Sequence, residues 1–415
     1  MTTGELSEVA VWLDSAELGP SRRVGTLRRA GSGPGAIVSF AYDAAWIGRR
    51  DAFVLDPAHQ LFEGEQYPPK GALAGVFTDM APDRWGRTLL ERREALRARQ
   101  EGRRPRVLGD WEFLLGVTDL GRMGALRVAA LEGRFIDDDP LAIPPTARLR
   151  ELEQAAREME QPSSSGDEEE ARRLAILLAP GSSLGGARPK ATFLLEDGSL
   201  WLAKFPSRND RHDVGAWEFV LNELARRAGI VVPETRLVRL PGDHRTFAAR
   251  RFDRDGEARR LYCSAMTLVG KRDGEDASYL DIALAVADHG AGTTLNTDLE
   301  QLFRRVAFNV VTGHRDDHLR NHGFLRSRDG WRLSPAFDLN PLLDKPEHDL
   351  AIDESIRQPD LALVAETAPF YRLSAAGADR VIAEVREAVA GWRDAARMTG
   401  LPADEIALFA GAFAV

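Results

Sequence analysis

The chain has 415 residues, of which 44% are hydrophobic and 29% are charged. These values exclude wholesale disorder and fibrous repeats, and the length predicts two or three domains. The formal net charge is −9, from 55 basic and 64 acidic residues. A chain of that sign is poorly suited to coat a phosphate backbone by itself, so we expect any nucleic-acid role to run through a partner.

The sequence has no pattern typical of a membrane span, a secretory signal or an internal disulfide. No stretch approaches about 18 consecutive apolar residues, and the first residues lack a basic region followed by an apolar one. We therefore expect neither a membrane span nor a secretory signal. The single cysteine, Cys263, cannot form an internal disulfide or a CxxC metal site. This usage is typical of the reducing cytoplasm.

The first 135 or so residues are predicted to form a β-rich unit. Short runs of β-branched and aromatic residues, broken by Gly, Pro and Asp, predict strands at Val9–Leu13, Arg23–Leu27, Ala36–Tyr42 and Ala52–Leu55. From Asp83 to Glu101 the apolar spacing becomes helical. A proline-rich break near residues 137–145 and the polar spacer Gln161–Glu170 then lead into a helix at Glu168–Leu178.

The rest of the chain changes from strands to helices. Strands are predicted at Ala191–Leu195, Leu200–Phe205, Thr235–Leu240 and Thr246–Phe252, and helices at Val214–Ala228, Leu280–Asp288, Leu299–Thr312 and Ala376–Thr399. A sheet followed by helices, with a polar cluster at their joint, predicts an α+β fold with two lobes and a cleft between them. We predict three regions, at residues 1–140, 141–252 and 253–415.

A glycine-rich segment opens the second region. Gly181–Lys190 reads GSSLGGARPK, whose small residues would let backbone N–H groups approach an anion closely. It does not match the Walker pattern, and an ordinary turn remains an alternative. Lys204 follows on a predicted strand and Glu218 on the next helix. The order of glycine loop, strand lysine and helix glutamate is typical of a nucleotide site, in which Glu218 would pair with Lys204.

The densest polar signal is HRDDHLRNHGF at His314–Phe324, followed by SPAFDLNP at Ser334–Pro341. Phosphoryl transfer needs a carboxylate to orient the attacking hydroxyl, which Asp316 could supply. It also needs hard oxygen ligands for Mg²⁺, which Asn321 and Asp338 could supply in the usual chain order. The pattern therefore indicates a phosphotransferase.

Two other interpretations of this cluster remain open. His314, His318 and His322 recur every four residues, so on one helix face they would form a metal-ligand ladder with Asp316 or Asp317, as in a metal-dependent hydrolase. Against this, Asn321, His322 and Gly323 are expected to break a helix. The third interpretation is a charged loop without catalysis.

Several motifs, taken in order, resemble the HipA family of Ser/Thr protein kinases, which are toxins of bacterial toxin–antitoxin pairs. They are SSLGGARPK, LAKFPS, RRFDR, GHRDDHLRNHGF and SPAFDLNP, together with GVFTDMAPDRWGR and GRMGALRV in the N-terminal region. The resemblance covers nearly the whole chain. It implies a two-lobed, protein-kinase-like α+β fold with an N-terminal β-rich domain and a mainly helical C-terminal lobe.

The resemblance also implies a role for particular residues. Asp316 matches the catalytic aspartate, and Asn321 and Asp338 match the Mg²⁺ ligands. The implied ATP contacts are Gly185, Gly186, Ala187, Arg188, Pro189, Lys190, Lys204, Glu218, Arg250, Arg251, Phe252 and His318. Ser183 matches a serine that some members autophosphorylate. Arg250 replaces a residue that is often acidic, and His314 replaces a common asparagine, which leaves the adenine contact and the hydrogen bonding of the loop in question.

The implied activity is transfer of phosphate from ATP, with Mg²⁺, to a protein substrate, which in the family can be an aminoacyl-tRNA synthetase. The implied partner is a HipB-like helix-turn-helix antitoxin, through which the chain would reach operator DNA only indirectly. An alternative of another class is a catalytically idle protein that docks an antitoxin and strengthens repression.

Overall fold

The computed structural model describes residues 6–69, 71–137, 143–161, 166–178 and 186–414. The predicted Ser183 and Gly185 sites lie outside these residues. The chain divides into two compact units, of which the first comprises Met1–Arg208 and Asp253–Cys263, and the second comprises Asn209–Phe252 and Ser264–Val415. The predicted division into three regions stays a prediction.

An antiparallel sheet organises the start of the first unit. Its strands are β1 (Glu8–Leu13), β2 (Arg22–Ala30), β3 (Ile37–Tyr42) and β4 (Leu126–Ala129). They lie in the order β3-β2-β1-β4. Val9 of β1 is opposite Leu27 of β2, and Ala10 is opposite Ala129 of β4. Most apolar residues that predicted these strands are buried, among them Val9, Val11 and Phe40, whereas Ile37 is exposed.

The strand predicted at Ala52–Leu55 is wrong. These residues form no strand in the structure. They are held instead by side chains, because the indole of Trp46 donates to the Phe53 carbonyl at 3.3 Å and the Tyr42 hydroxyl accepts from the Leu55 amide at 2.8 Å. A run with strand propensity forms a strand only where another backbone edge pairs with it.

The remaining elements of the first unit are mostly helices. They are α1 (Ala44–Ile47), α2 (Gly75–Asp79), α3 (Arg84–Gln100), α4 (Asp110–Leu115), α5 (Leu149–Met159) and α6 (Asp167–Leu178). The longest, α3, begins where predicted because the Asp83 carboxylate accepts from the Gly86 amide at 2.7 Å and caps the helix. Trp85, Leu89 and Leu90 form part of its buried side.

Two hairpins complete the first unit. β5 (Lys190–Leu194) pairs antiparallel with β6 (Leu200–Lys204), and β9 (Arg254–Asp255) pairs with β10 (Ala258–Arg259). The second hairpin is fixed to the GRMGALRV segment, because the Asp253 carboxylate accepts from the Gly124 amide at 2.8 Å. Gly124 has φ 81°, a left-handed conformation that suits glycine.

The second unit is mainly helical, as predicted. Its strands are β7 (Thr235–Val238), β8 (Thr246–Arg250), β12 (Gly323–Ser327) and β13 (Gly330–Leu333). Strand β11 (Tyr262–Ser264) begins in the last residues of the first unit and ends at Ser264, which belongs to the second. Its helices are α7 (Val214–Arg227), α8 (Ala265–Val269), α9 (Tyr279–His289), α10 (Leu295–Thr312), α11 (Leu361–Glu366), α12 (Ala375–Ala390), α13 (Trp392–Met398) and α14 (Ala403–Leu408).

The long helix α10 lies at the centre of this unit and positions the polar loop that follows it. It packs against α9 and α12. Its apolar side is buried, and Leu302, Phe303 and Val306 are fully buried. Within the part of the chain that the structure describes, no helix has the length and hydropathy needed to cross a membrane.

Candidate active site

The polar loop begins at a sharp stop of α10. The helix ends at Thr312, and Gly313 takes a left-handed conformation with φ 65°. A Cβ at this position would lie 2.6 Å from the Ala412 carbonyl oxygen, so only glycine fits without a shift. The chain then runs without helix or strand from His314 to His318 before a single 3₁₀ turn at Leu319–Asn321.

This path shows that the hypothesis of a histidine ladder is wrong. His314 and His318 lie outside any helix, so they do not share a helix face with His322. His322 is bonded to Asp317, with Nε2 and Oδ2 2.8 Å apart. Across the described residues, no three His, Cys, Asp or Glu side chains come together as a metal site. The metal-hydrolase interpretation therefore loses its geometric basis.

Asp316 and Asn321 lie close together on the loop. The Asp316 side chain is 62% exposed, so a solvent-borne group can reach its carboxylate. The buried Asn321 donates from Nδ2 to the Asp316 carbonyl at 3.0 Å, and its amide N–H donates to the His318 carbonyl at 2.8 Å. Because the nitrogen of the amide group faces the loop backbone, its oxygen faces the other way and can serve as a ligand.

A second segment contacts Asp316 from residues 345–349. The Lys345 ammonium lies 3.2 Å from Oδ1 of Asp316 and 2.5 Å from Oδ1 of Asp349. Partial desolvation and the Asp349 carboxylate raise the pKa of Asp316, whereas Lys345 acts in the opposite direction. Burial would lower the pKa of Lys345, but hydrogen bonds to Asp349 and Asp316 raise it, which keeps the ammonium charged.

The adjacent Asp317 anchors the loop through buried hydrogen bonds. Its side chain is only 3% exposed, and Oδ2 accepts from Tyr279 Oη at 2.8 Å and from Asn309 Nδ2 at 2.7 Å, besides its bond with His322. Burial opposes ionisation, but the charge and hydrogen bond of His322 hold the pKa of Asp317 well below its usual range. Sequence reasoning considered Asp317 only as an extra metal ligand, because Tyr279 and Asn309 lie on distant elements and leave no local signal.

The segment that carries Asp338 is tied to the same loop. Nδ1 of His314 lies 2.9 Å from the Asn340 carbonyl oxygen, and the Leu342 amide donates to the Gly313 carbonyl at 3.0 Å. Asp338 has φ 62°, a left-handed conformation that is uncommon outside glycine. Strained backbone of this kind is concentrated at functional sites. The structure thus anchors the segments that carry Asp316, Asn321 and Asp338 to one another.

The aromatic residue before Asp338 contacts the predicted adenine segment. The rings of Phe337 and Phe252 are 5.5 Å apart, with a tilt of 35° between their planes. The exposed Arg250 closes strand β8, and its amide N–H donates to the Glu234 carbonyl at 2.8 Å. That amide is therefore engaged in the sheet, while Arg251 is buried beside it.

The described part of the predicted phosphate-binding loop lies in the first unit, just before strand β5 and at its first residue. Gly186 has φ 108°, and a Cβ there would lie 3.0 Å from Nζ of Lys190. Lys190 is buried, with its ammonium 2.7 Å from the Asp83 carboxylate. A phosphate contact by the Lys190 side chain would therefore require this ion pair to open. Arg188 donates to the Phe205 carbonyl at 3.3 Å.

The other predicted nucleotide contacts lie on regular elements. Lys204 ends strand β6, directly opposite Lys190 in the hairpin. Glu218 is buried on α7, and His318 is half-buried at the start of the 3₁₀ turn. Ala187 and Pro189 belong to the turn before β5, where the Pro189 carbonyl accepts from the Phe205 amide at 2.9 Å. The predicted pairing of Glu218 with Lys204 stays a prediction.

Comparison with known families matches both parts of the chain. The sequence model of the HipA-like C-terminal domain matches residues 182–392, which is more than half of the chain, and that of the HipA N-terminal domain matches residues 11–110. The chain is a member of the HipA family. Asp316, Asn321 and Asp338 all lie within the matched C-terminal domain.

Solved structures show the fold of this HipA family member. The chain resembles HipA in the Shewanella oneidensis toxin–antitoxin complex of HipA, HipB and operator DNA, with a TM-score of 0.64 and 17% identity. The match covers 97% of this chain and 94% of that one. The predicted α+β fold of the HipA type is thereby confirmed.

One curated relative comes from Haemophilus influenzae and is named "Putative kinase". It is 25% identical over 190 residues, which cover 40% of this chain. The alignment spans 54% of the relative's own length, so about half of that protein is matched.

Proposed function

We propose that this HipA family member is an ATP- and Mg²⁺-dependent protein kinase that phosphorylates serine or threonine. The proposal rests chiefly on the loop geometry around Asp316. An exposed carboxylate is held on a loop whose next residue, Asp317, is anchored by three buried hydrogen bonds. Transfer of a phosphoryl group depends mainly on positioning, and this loop is rigidly positioned.

Asp316 would orient the acceptor hydroxyl and take its proton as the oxygen attacks the terminal phosphate of ATP. Partial desolvation and the Asp349 carboxylate raise its pKa, and a carboxylate of higher pKa is a stronger base. The exposed position leaves room for the acceptor side chain of a protein. The proton passes to Asp316 as the bond between the hydroxyl oxygen and phosphorus forms and the bond from that phosphorus to the leaving ADP breaks.

Asn321 and Asp338 fit a magnesium ion by their chemistry. The amide oxygen of Asn321 is turned away from the loop by the hydrogen bond of its nitrogen, and Asp338 is held in a left-handed conformation on the neighbouring segment. Amide and carboxylate oxygens are the ligands that Mg²⁺ prefers. When bound, the ion would neutralise the phosphate charges of the nucleotide.

The nucleotide would be held by the residues that the family resemblance assigns. We propose that the backbone of residues 185–190 and the ammonium of Lys204 contact the phosphates, and that Glu218 pairs with Lys204. The backbone of Arg250–Phe252 would contact the adenine, and His318 would contribute from the catalytic loop. Because Lys190 is paired with Asp83, we assign its phosphate contact to the backbone. Ser183 is the proposed autophosphorylation site.

The biological role follows from the family. We propose that the chain is the toxin of a toxin–antitoxin pair and binds a HipB-like helix-turn-helix antitoxin, through which it meets operator DNA. The Shewanella HipA, which shares the fold, was solved with HipB and operator DNA. A cytoplasmic location is supported by the single, buried thiol of Cys263. The protein substrate could be an aminoacyl-tRNA synthetase, as in other family members.

The proposal is tested by Asp316→Asn, which keeps the size of the side chain and removes the base. We expect phosphate transfer from Mg²⁺–ATP to protein, followed by mass spectrometry, to fall roughly 10²–10⁴-fold. Nucleotide affinity and the unfolding midpoint should be unchanged, because the side chain is exposed.

The matched control is Asp273→Asn, another exposed carboxylate with a cationic partner, Arg320, at 2.9 Å. It should retain full transfer. Equal transfer by wild type and Asp316→Asn would refute the assigned role. No transfer by the wild type would favour the catalytically idle, antitoxin-docking alternative.

A further inference from the structure

Among the described residues, Lys345 is the cation whose side chain contacts the carboxylate of Asp316. Its ammonium lies 3.2 Å from Oδ1 of Asp316 and 2.5 Å from Oδ1 of Asp349. The lysine comes from a segment 29 residues downstream of the loop. No motif in the sequence connects the two, so the contact is visible only in the structure.

The segment that carries Lys345 is fixed to the loop through the backbone. A guanidinium N–H of Arg315 donates to the Lys345 carbonyl, and the Asp349 amide donates to the Arg315 carbonyl at 3.0 Å. These bonds hold both ends of residues 345–349 against the residue that precedes Asp316. The fold therefore fixes the backbone of Lys345 beside Asp316, within reach of its ammonium.

The ion pair between Lys345 and Asp316 is expected to add little to the stability of the fold. The side chain of Lys345 is 32% exposed and that of Asp316 is 62% exposed, and exposed ion pairs contribute little to folding. The consequence for the carboxylate is larger, because a hydrogen bond from Lys345 to Oδ1 restricts the rotation of the Asp316 side chain.

We propose that Lys345 is a positioning residue for phosphoryl transfer, which holds the Asp316 carboxylate in the orientation that meets the acceptor hydroxyl. This inference rests on the proposed kinase function. It assigns to Lys345 no contact with the nucleotide. Loss of Lys345 should therefore lower kcat and leave the KM for ATP nearly unchanged.

The test compares full-length chains in phosphate transfer from Mg²⁺–ATP to protein. We expect Lys345→Met, which keeps the length of the side chain and removes its charge, to lower kcat by about 10- to 100-fold, the scale of a misplaced reacting group. Lys345→Arg should recover at least part of that loss. Lys345→Gln is a second neutral variant, in case the methionine variant folds poorly.

Lys271 offers a matched control in the same unit. Its ammonium lies 2.7 Å from the Asp281 carboxylate, and its side chain is 27% exposed, close to the value for Lys345. Lys271→Met should therefore lose a similar ion pair and keep its kcat. An equal fall in kcat for Lys271→Met and Lys345→Met would show a general structural effect and overturn the assignment.

A double variant separates action through Asp316 from an independent effect. If Lys345 works by orienting this carboxylate, adding Lys345→Met to Asp316→Asn should slow transfer no further. If adding Lys345→Met to Asp316→Asn lowers kcat by the same factor as Lys345→Met alone, the inference is overturned. A Lys345→Met chain with wild-type kcat would also overturn it. A wild-type chain without any transfer would instead overturn the proposed function and this inference together, so the two failures are distinguishable.

Discussion

Two adjacent carboxylates show how strongly the environment of a residue decides its role. Asp316 is largely exposed, whereas Asp317 is buried and bonded to Tyr279, Asn309 and His322. The sequence places Asp316 in a polar segment within a D-x-H-x-x-N pattern, and its role as the catalytic aspartate stays a prediction. It could not predict the support of Asp317, because the three donors lie on separate elements and their convergence depends on tertiary packing.

Glu94 gives a pH prediction at the scale of one residue. Its side chain is only 5% exposed, and burial would raise its pKa, but hydrogen bonds from Arg103 and Arg106 lower the pKa to about 2. A carboxyl whose pKa is lower in the folded state stabilises the fold above its unfolded pKa, near 4.5. That contribution is lost as the pH falls toward 2.

We therefore expect Glu94→Gln to lose roughly 1–3 kcal/mol of unfolding free energy at pH 7. The difference from wild type should shrink as the pH falls from about 4.5 to 3. Denaturant unfolding at several pH values measures both quantities. A difference that stays constant from pH 7 to pH 3 would contradict the assigned pKa.

Helices were easier to predict from the sequence than strands. α3, α7 and α10 lie within a few residues of their predicted bounds, because each has a clear apolar face and a capping or glycine signal. The helix predicted at Ala376–Thr399 is instead divided into α12 and α13 at Gly391. The β12–β13 hairpin was not resolved in the prediction, because its short strands are embedded in the polar cluster.

The start of α3 yields a prediction at the scale of an element. Asp83 both caps the helix and pairs with the buried ammonium of Lys190, which begins strand β5. Desolvation raises the pKa of Asp83, and Lys190 counters it. We expect Asp83→Ala to cost roughly 3–5 kcal/mol of unfolding free energy, because it removes the helix cap and one half of a buried ion pair.

The control for this variant is Asp360→Ala, which removes an exposed cap of α11 that has no lysine partner among the described residues. That change should cost only about 1 kcal/mol. The double variant Asp83→Asn with Lys190→Met should recover part of the loss, since no buried charge remains. Equal losses for the two alanine variants would show that the buried ion pair contributes nothing beyond capping.

At the scale of the whole molecule, the order of the motifs was the informative signal. Each motif is short and ambiguous alone, yet their sequence along the chain identified the HipA family and its α+β fold. The division of the chain into two units was harder to predict from the sequence. Asp253–Cys263 groups with the first unit because Arg254 and Arg259 are buried against residues 119–124, through carbonyl and carboxylate contacts that no local pattern encodes.

The most direct test of the account is a crystal structure of the chain with Mg²⁺ and a non-hydrolysable ATP analogue. We expect a magnesium ion roughly 2.0–2.1 Å from an oxygen of Asp338 and from the amide oxygen of Asn321, with the terminal phosphate beside Asp316. A magnesium-bound nucleotide that touches neither Asn321 nor Asp338 would contradict the claim that these residues form a kinase active site.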